Sequence, residues 1–251
     1  ERVKTYLDLA GRTYKTLYPD GAYHQSFFNN AGQLWKSRDP DNVITLYQYN
    51  AKGQVEYTAI DLNRNNTIDL TGTDRITRTV SDVIYNSTWA SHVQRTASIL
   101  WTNDNQNLWF TNSLTEVATN GLRSWHTVYR DPSTPVVSRT QTVYGGGGTR
   151  TVTSYAPNGS YTLSSYSYGR LSSVTRKTSS HAQIGQTTYA YDPHGRVAST
   201  TDARNGPTLY TYNAADQVQT LTTPAPGTGQ APQLTTTFYD NQGRQTGQLL
   251  P

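Results

Sequence analysis

An aromatic residue followed four positions later by glycine recurs along this chain at a fixed interval of 21. Phe28 precedes Gly32, Tyr49 precedes Gly53, and Gly11 lies 21 residues further upstream with Tyr6 beside the aromatic position. Near the other end Tyr191 precedes Gly195 and Tyr212 precedes Asp216, again 21 apart, while Tyr239 and Gly243 follow after a longer gap of 27. Tyr155 and Gly159 fit the pattern, and Tyr166 and Gly169 form a version one residue shorter. Each unit holds a second turn signal: Pro19-Asp20-Gly21, Asp39 to Asn42, Asp61-Leu62-Asn63, and Asp202 to Gly206. Between turns the chain alternates. Tyr47 and Tyr49, Tyr189 and Tyr191, and Tyr210 and Tyr212 each place two rings on one face of a strand. Two turns and two strands in 21 residues make a β-hairpin, with strands of about six to eight residues. One hairpin cannot bury its face, so the units must stack edge to edge into a long sheet.

Composition agrees. Only 34% of the 251 residues are hydrophobic, and Tyr carries much of that share, with 19 Tyr against 4 Phe. Tyr and Thr suit a half-buried pleated surface, while Gly and Asn suit turns. No segment sustains a 3.6-residue apolar period beyond about two turns, so the expected class is all-β. The net charge of +4 is mild and scattered, which gives no phosphate-tracking stripe and no reason to expect nucleic acid. The absence of Cys removes disulfides and thiolate chemistry. Met is absent even at position 1, so the chain is expected to begin within a longer protein or after a processing site. No apolar run has transmembrane length, and no membrane insertion by this segment is expected.

The regular repeats occupy 1–60 and 151–251. The interval 61–150 departs from the register and holds four of the five Trp residues (Trp89, Trp101, Trp109, Trp125), yet still alternates in places, as from Arg75 to Val80. It reads as divergent, longer hairpins within one continuous sheet spanning 1–251. The Pro- and Gly-rich stretch from Pro224 to Pro232 explains the gap of 27 as a long turn, and Gly145 to Gly148 as a hairpin tip.

Tyr-Asp-x-x-Gly-Arg followed by a Thr-Asp turn and Tyr-x-Tyr resembles the YD repeat of the RHS family, which includes bacterial polymorphic-toxin shells, C components of insecticidal toxin complexes and teneurins. Tyr191 to Tyr212 and Tyr239 to Arg244 are the best copies. Phe28 to Gln33 and Tyr49 to Gln54 are weaker, with Asn in the Asp position and Gln in the Arg position. The resemblance implies a spiralling β-sheet wound into a hollow shell. Its implied partners are neighbouring repeats of the same longer chain, and an enclosed C-terminal toxin or cell-surface glycans. It also implies a secreted or cell-surface bacterial setting. The self-cleaving aspartyl core that ends such shells has no counterpart here, because Asp192 and Pro193 belong to a repeat turn.

The sharpest chemical motif is Asp61, Asn63, Asn65, Thr67 and Asp69. Oxygen ligands at positions 1, 3, 5 and 9, with a carbonyl at 7, match the first nine positions of an EF-hand-type calcium loop. Asn66 stands where Gly is usual, and Gly72 stands where a bidentate Glu is expected, with Asp74 the nearby carboxylate. The competing reading is a plain Asn/Asp-rich turn, because Asp61 falls where each repeat turns. Calcium is the one cofactor the sequence suggests. The histidines His24, His92, His126, His181 and His194 share no metal-ligand spacing. No Gly-x-Ser-x-Gly elbow and no standout acid pair is present, so no catalytic residue is assigned and no enzymatic activity is expected. The expected role is structural, as part of a shell that encloses a toxin or presents an adhesive surface. The alternative is a carbohydrate-binding module that uses the Trp-rich interval.

Overall fold

The computed structural model describes residues 2–102 and 104–251. Among these residues there are twenty strands and no helix, so the all-β class read from the sequence holds. The chain forms two compact units, Glu1–Val137 and Ser138–Pro251.

The first unit contains β1 (Lys4–Leu7), β2 (Thr13–Leu17), β3 (Tyr23–Phe28), β4 (Leu34–Arg38), β5 (Ile44–Tyr49), β6 (Val55–Ile60), β7 (Arg75–Asn86), β8 (Ser91–Trp101), β9 (Trp109–Ala118) and β10 (Arg123–Tyr129). Each strand pairs antiparallel with the next in sequence, which is a simple meander. Strands β1 to β6 run to 4–6 residues, whereas β7 and β8 have 12 and 11. The core lies mainly with the long strands. Val93, Ala118 and Trp125 are buried together, with Ile84, Trp89 and Val137 packed against them. A second buried row, Leu46, Ala59 and Ile76, runs straight across β5, β6 and β7 because these residues are cross-strand partners.

The second unit contains β11 (Pro135–Tyr144, begun just before the division), β12 (Thr149–Tyr155), β13 (Tyr161–Ser167), β14 (Arg170–Lys177), β15 (Gln183–Tyr191), β16 (Val197–Asp202), β17 (Gly206–Tyr212), β18 (Val218–Thr223), β19 (Gln233–Tyr239) and β20 (Gln245–Leu249). It is also an unbroken antiparallel meander. The stretch Pro224 to Pro232 connects β18 to β19, and Gly145 to Gly148 connects β11 to β12, both as turns.

The repeat glycines have a geometric cause. In the hairpin of β3 and β4, Gly32 N–H donates to the Asn29 carbonyl and Asn29 N–H donates to the Gln33 carbonyl. Gly32 has φ 78° and ends a tight turn that leads into a bulge. Phe28 faces Leu34 while Phe27 faces Lys36, so Trp35 is the extra residue. The same shift falls beside Tyr49, Tyr191, Tyr212 and Tyr239. The sequence register of 21 is thus a register of bulged hairpins.

Candidate functional site

Six turns share one hydrogen-bonded construction. Asp8 Oδ1 accepts from the N–H groups of Ala10 and Arg12, and its Oδ2 accepts from Arg12 Nε at 2.8 Å. Asp192 with Arg196 and Asp240 with Arg244 repeat this arrangement, with Nε to Oδ2 distances of 2.7 Å. Where Asn replaces Asp, Gln replaces Arg. Asn29 Oδ1 accepts from Ala31 and Gln33 N–H, and its Nδ2 donates to Gln33 Oε1 at 3.0 Å. Asn50 with Gln54 and Asn213 with Gln217 do the same. The pairing follows from donor and acceptor inventory. A carboxylate only accepts, so its partner must donate. An Asn whose oxygen is already engaged offers a donor, so its partner must accept, which guanidinium cannot do. The copies that looked weaker in sequence are therefore a second, self-consistent version of the same turn.

Electrostatics follow the same division. The Arg12 backbone N–H, with help from its side chain, holds the Asp8 carboxyl below the usual carboxylate value. Burial pushes Asp192 upward, but the Arg196 side-chain and backbone hydrogen bonds outweigh it and leave the group lowered. Asp240 is lowered chiefly by the Arg244 backbone N–H and then by its side chain.

Three of these side chains also tie their hairpin to the next. Arg12 Nη1 donates to the Gly32 carbonyl at 3.0 Å, and Gln217 Nε2 donates to the Gly243 carbonyl at 2.6 Å. Arg196 pairs with Asp216, which occupies the glycine position with φ 62°. Arg12 lies 4.2 Å over the Phe28 ring and Arg196 lies 4.4 Å over the Tyr212 ring. Tyrosine hydroxyls continue the ladder. Tyr49 donates to the Leu34 carbonyl, Tyr191 to Leu171, Tyr212 to Val197 and Tyr239 to Val218, at 2.7–2.9 Å. This accounts for Tyr where Phe would pack equally well. His194 lies exposed at the turn.

The loop between β6 and β7 gathers the predicted oxygen residues. Asp61 is 3% exposed, and its Oδ2 accepts from Asn66 N–H at 2.9 Å. The Nδ2 groups of Asn63 and Asn65 converge on Asp69 Oδ2 at 2.7 and 2.6 Å. Asn66 has φ 62°, the left-handed conformation that a loop of this kind needs at its sixth position. Asp74, also buried, accepts from Leu62 N–H with Oδ1 and from Asp69 N–H with Oδ2, both at 3.1 Å. Thr67 is exposed, and its N–H donates to Asn65 Oδ1. Among the described residues no three His, Asp or Glu side chains form a ready cation cage. The loop's chemistry therefore depends on amides and carbonyls as well as Asp61 and Asp69.

The four Trp residues of the longer hairpins divide by role. Trp125 is buried and stacks on Trp89 with centroids 4.9 Å apart, and Trp89 Nε1 donates to the buried Glu116. Trp101 faces Trp109 directly across β8 and β9, and Trp109 is 55% exposed. Sequence reasoning missed the Asn–Gln coupling and the anchoring of Glu116. The first was visible as a paired substitution, while the second has no sequence signature.

No curated protein matches the chain. A holotoxin pore structure of the Photorhabdus luminescens Tc toxin is 18% identical, with TM-score 0.40, and covers 99% of this chain and 16% of its own. A structure of TcdB2-TccC3 without its hypervariable C-terminal region is 16% identical, with TM-score 0.43 and the same coverage. The chain spans about a sixth of the length of those chains. The family model "RHS Repeat" matches residues 191–228, which run from the Asp192–Arg196 turn through the Asn213–Gln217 turn. Within the register of 21, residues 191–228 match the RHS repeat.

Proposed function

We propose that this chain is a wall segment: a non-catalytic run of RHS/YD hairpins that builds part of a β-shell in a larger secreted or surface protein. The observation that carries this reading is the turn ladder. Arg12, Arg196 and Gln217 each spend one end on their own turn and the other on the next hairpin. Polar groups committed in this way make a continuous wall rather than a reactive pocket. Enclosing a C-terminal toxin and presenting an adhesive surface are the two uses such a wall supports, and the first is preferred on the family's precedent. Protease challenge of the parent polypeptide tests the choice. Protection of its C-terminal segment, lost when Arg196→Ala and Gln217→Ala open the ladder, supports enclosure. Immediate cleavage with the hairpins intact points to a surface role. Independent digestion of every turn sinks the wall itself.

A second reading has one observation behind it. Trp109 is exposed beside Trp101, a pair able to stack on a sugar ring. A glycan array probed with the native chain and Trp109→Ala decides it, and silence across the array removes it.

A further inference from the structure

Asp61 Oδ1 is a buried carboxylate oxygen with no hydrogen-bond donor. A buried charge left without a partner is costly, and structures retain one where a cation or another compensating group completes it. The carboxylate is turned into the loop, because its other oxygen accepts from Asn66 N–H inside it. Lys36 Nζ reaches over from β4 and donates to Asn66 Oδ1 at 3.0 Å, and Arg64, exposed within the loop, gives Asp61 Oδ1 no hydrogen bond. On the far side of the loop Arg75 is committed to the Thr73 carbonyl and to Asp104.

We propose that the loop from Asp61 to Asp69 binds a calcium ion, with the buried Asp61 Oδ1 as its anchoring ligand. Asp69 supplies the second carboxylate, and the amide oxygens of Asn63 and Asn65 and the Thr67 carbonyl complete an all-oxygen set. Such a set, flexible and rich in neutral oxygens, suits calcium. Magnesium demands a tighter octahedron and keeps more of its water. Asn63 and Asn65 already converge on Asp69 through their nitrogens. A half-turn about each Cβ–Cγ bond brings the oxygens inward instead. That turn takes Asn63 Oδ1 and Asn65 Oδ1 away from the N–H groups of Asn65 and Thr67. The exchange weakens binding, so the affinity belongs in the range of extracellular calcium modules, Kd about 10⁻⁴–10⁻³ M. Asp74 is a positioning residue: its two oxygens hold Leu62 and Asp69 by their backbones and so fix both ends of the loop.

The test uses the 251-residue chain stripped with chelator, titrated with calcium chloride in a calorimeter and melted with and without the ion. The expected result is a saturable heat and a rise in Tm that magnesium at the same concentration does not reproduce. Asp61→Asn keeps the side chain's size and an acceptor for Asn66. It is expected to weaken calcium binding tenfold or more while leaving the calcium-free circular dichroism spectrum unchanged. If Asp61→Asn fails to fold, Asp69→Asn decides, with the same tenfold loss expected. No heat and no Tm shift at about 10 mM calcium, ten times the weakest expected Kd, overturns the site and leaves a hydrogen-bonded turn. Variants that bind as well as the native chain also overturn it, and an equal shift with magnesium overturns the assignment to calcium.

Discussion

The two units solve one problem in different ways. Among the described residues, the first places eight apolar side chains in its core, among them Val93, Ala97 and Ile99 on the eleven-residue β8 and Trp125 on β10. Among the described residues of the second no apolar side chain is buried, and the one buried side chain is that of Thr175, 5% exposed. Its cohesion lies in the ladder of Asp192, Arg196, Tyr212, Asp216 and Gln217, which the first unit has as well at Asp8, Arg12 and Tyr49. Long strands let residues on adjacent hairpins overlap over enough length to exclude water. Along the regular hairpins of the second unit, sideways hydrogen bonds at the turns connect one hairpin to the next. A repeat sheet can therefore combine burial, concentrated here on β7 to β10, with turn chemistry along its regular hairpins.

The largest expected effect breaks the first unit alone. Trp125→Ala should cost about 3–5 kcal/mol, as large-to-small changes in cores do. Chemical denaturation followed by hydrogen exchange should show the loss on β8 to β10 and leave β15 to β18 protected. Equal loss in both units would dissolve the contrast. Next comes Gly195→Ala. Gly195 has φ 86°, and an added Cβ would lie 2.5 Å from Arg170 Nη2. The backbone cost is about 1–2 kcal/mol, read as a lower unfolding midpoint of the second unit, with Arg170 swinging aside. Tyr212→Phe removes only the hydroxyl that meets the Val197 carbonyl at 2.7 Å. About 1 kcal/mol should go with it, whereas Tyr210→Phe serves as the control.

Two smaller effects test the turn chemistry. Asp192→Asn alone sets an amide donor against a guanidinium and should lower the unfolding midpoint. Adding Arg196→Gln should recover most of the loss by rebuilding the Asn213–Gln217 arrangement. A double variant no better than the singles would show that the pairing is incidental. The last effect concerns pH. Asp8, Asp192 and Asp240 have carboxyls held below their ordinary value. The stability they contribute is fully present above the unfolded carboxylate value of about 3.9 and is lost as pH falls through the lowered folded value. Amide exchange at Arg12, Arg196 and Arg244 should rise across that acid window relative to Gln33, Gln54 and Gln217. Parallel behaviour of the two sets would contradict the assignment.

Much of this was legible before any coordinates. The turns at Gly32, Gly53, Gly195 and Gly243 stand where the register put them. Local rules suffice there, because a left-handed glycine and an Asx turn are decided within five residues. The Asn-containing copies were undervalued, since resemblance to a consensus does not weigh which donor meets which acceptor. The Asp61 loop was legible as a list of oxygens only. That Asp61 is buried with an unmatched oxygen, and that Asp74 ties the loop's ends through backbone N–H groups, depends on contacts across 5–12 residues that spacing does not encode.

By itself, the sequence determined the hairpin unit, its period, its turn positions and the all-β class. These follow from alternation and from residues that accept positive φ, both of them local properties. Tertiary structure decided which Trp residues become core and which stay exposed, why Asn travels with Gln, and where a buried carboxylate lacks a partner. Those outcomes depend on which side chains the meander brings side by side, and on how much water each strand's length excludes.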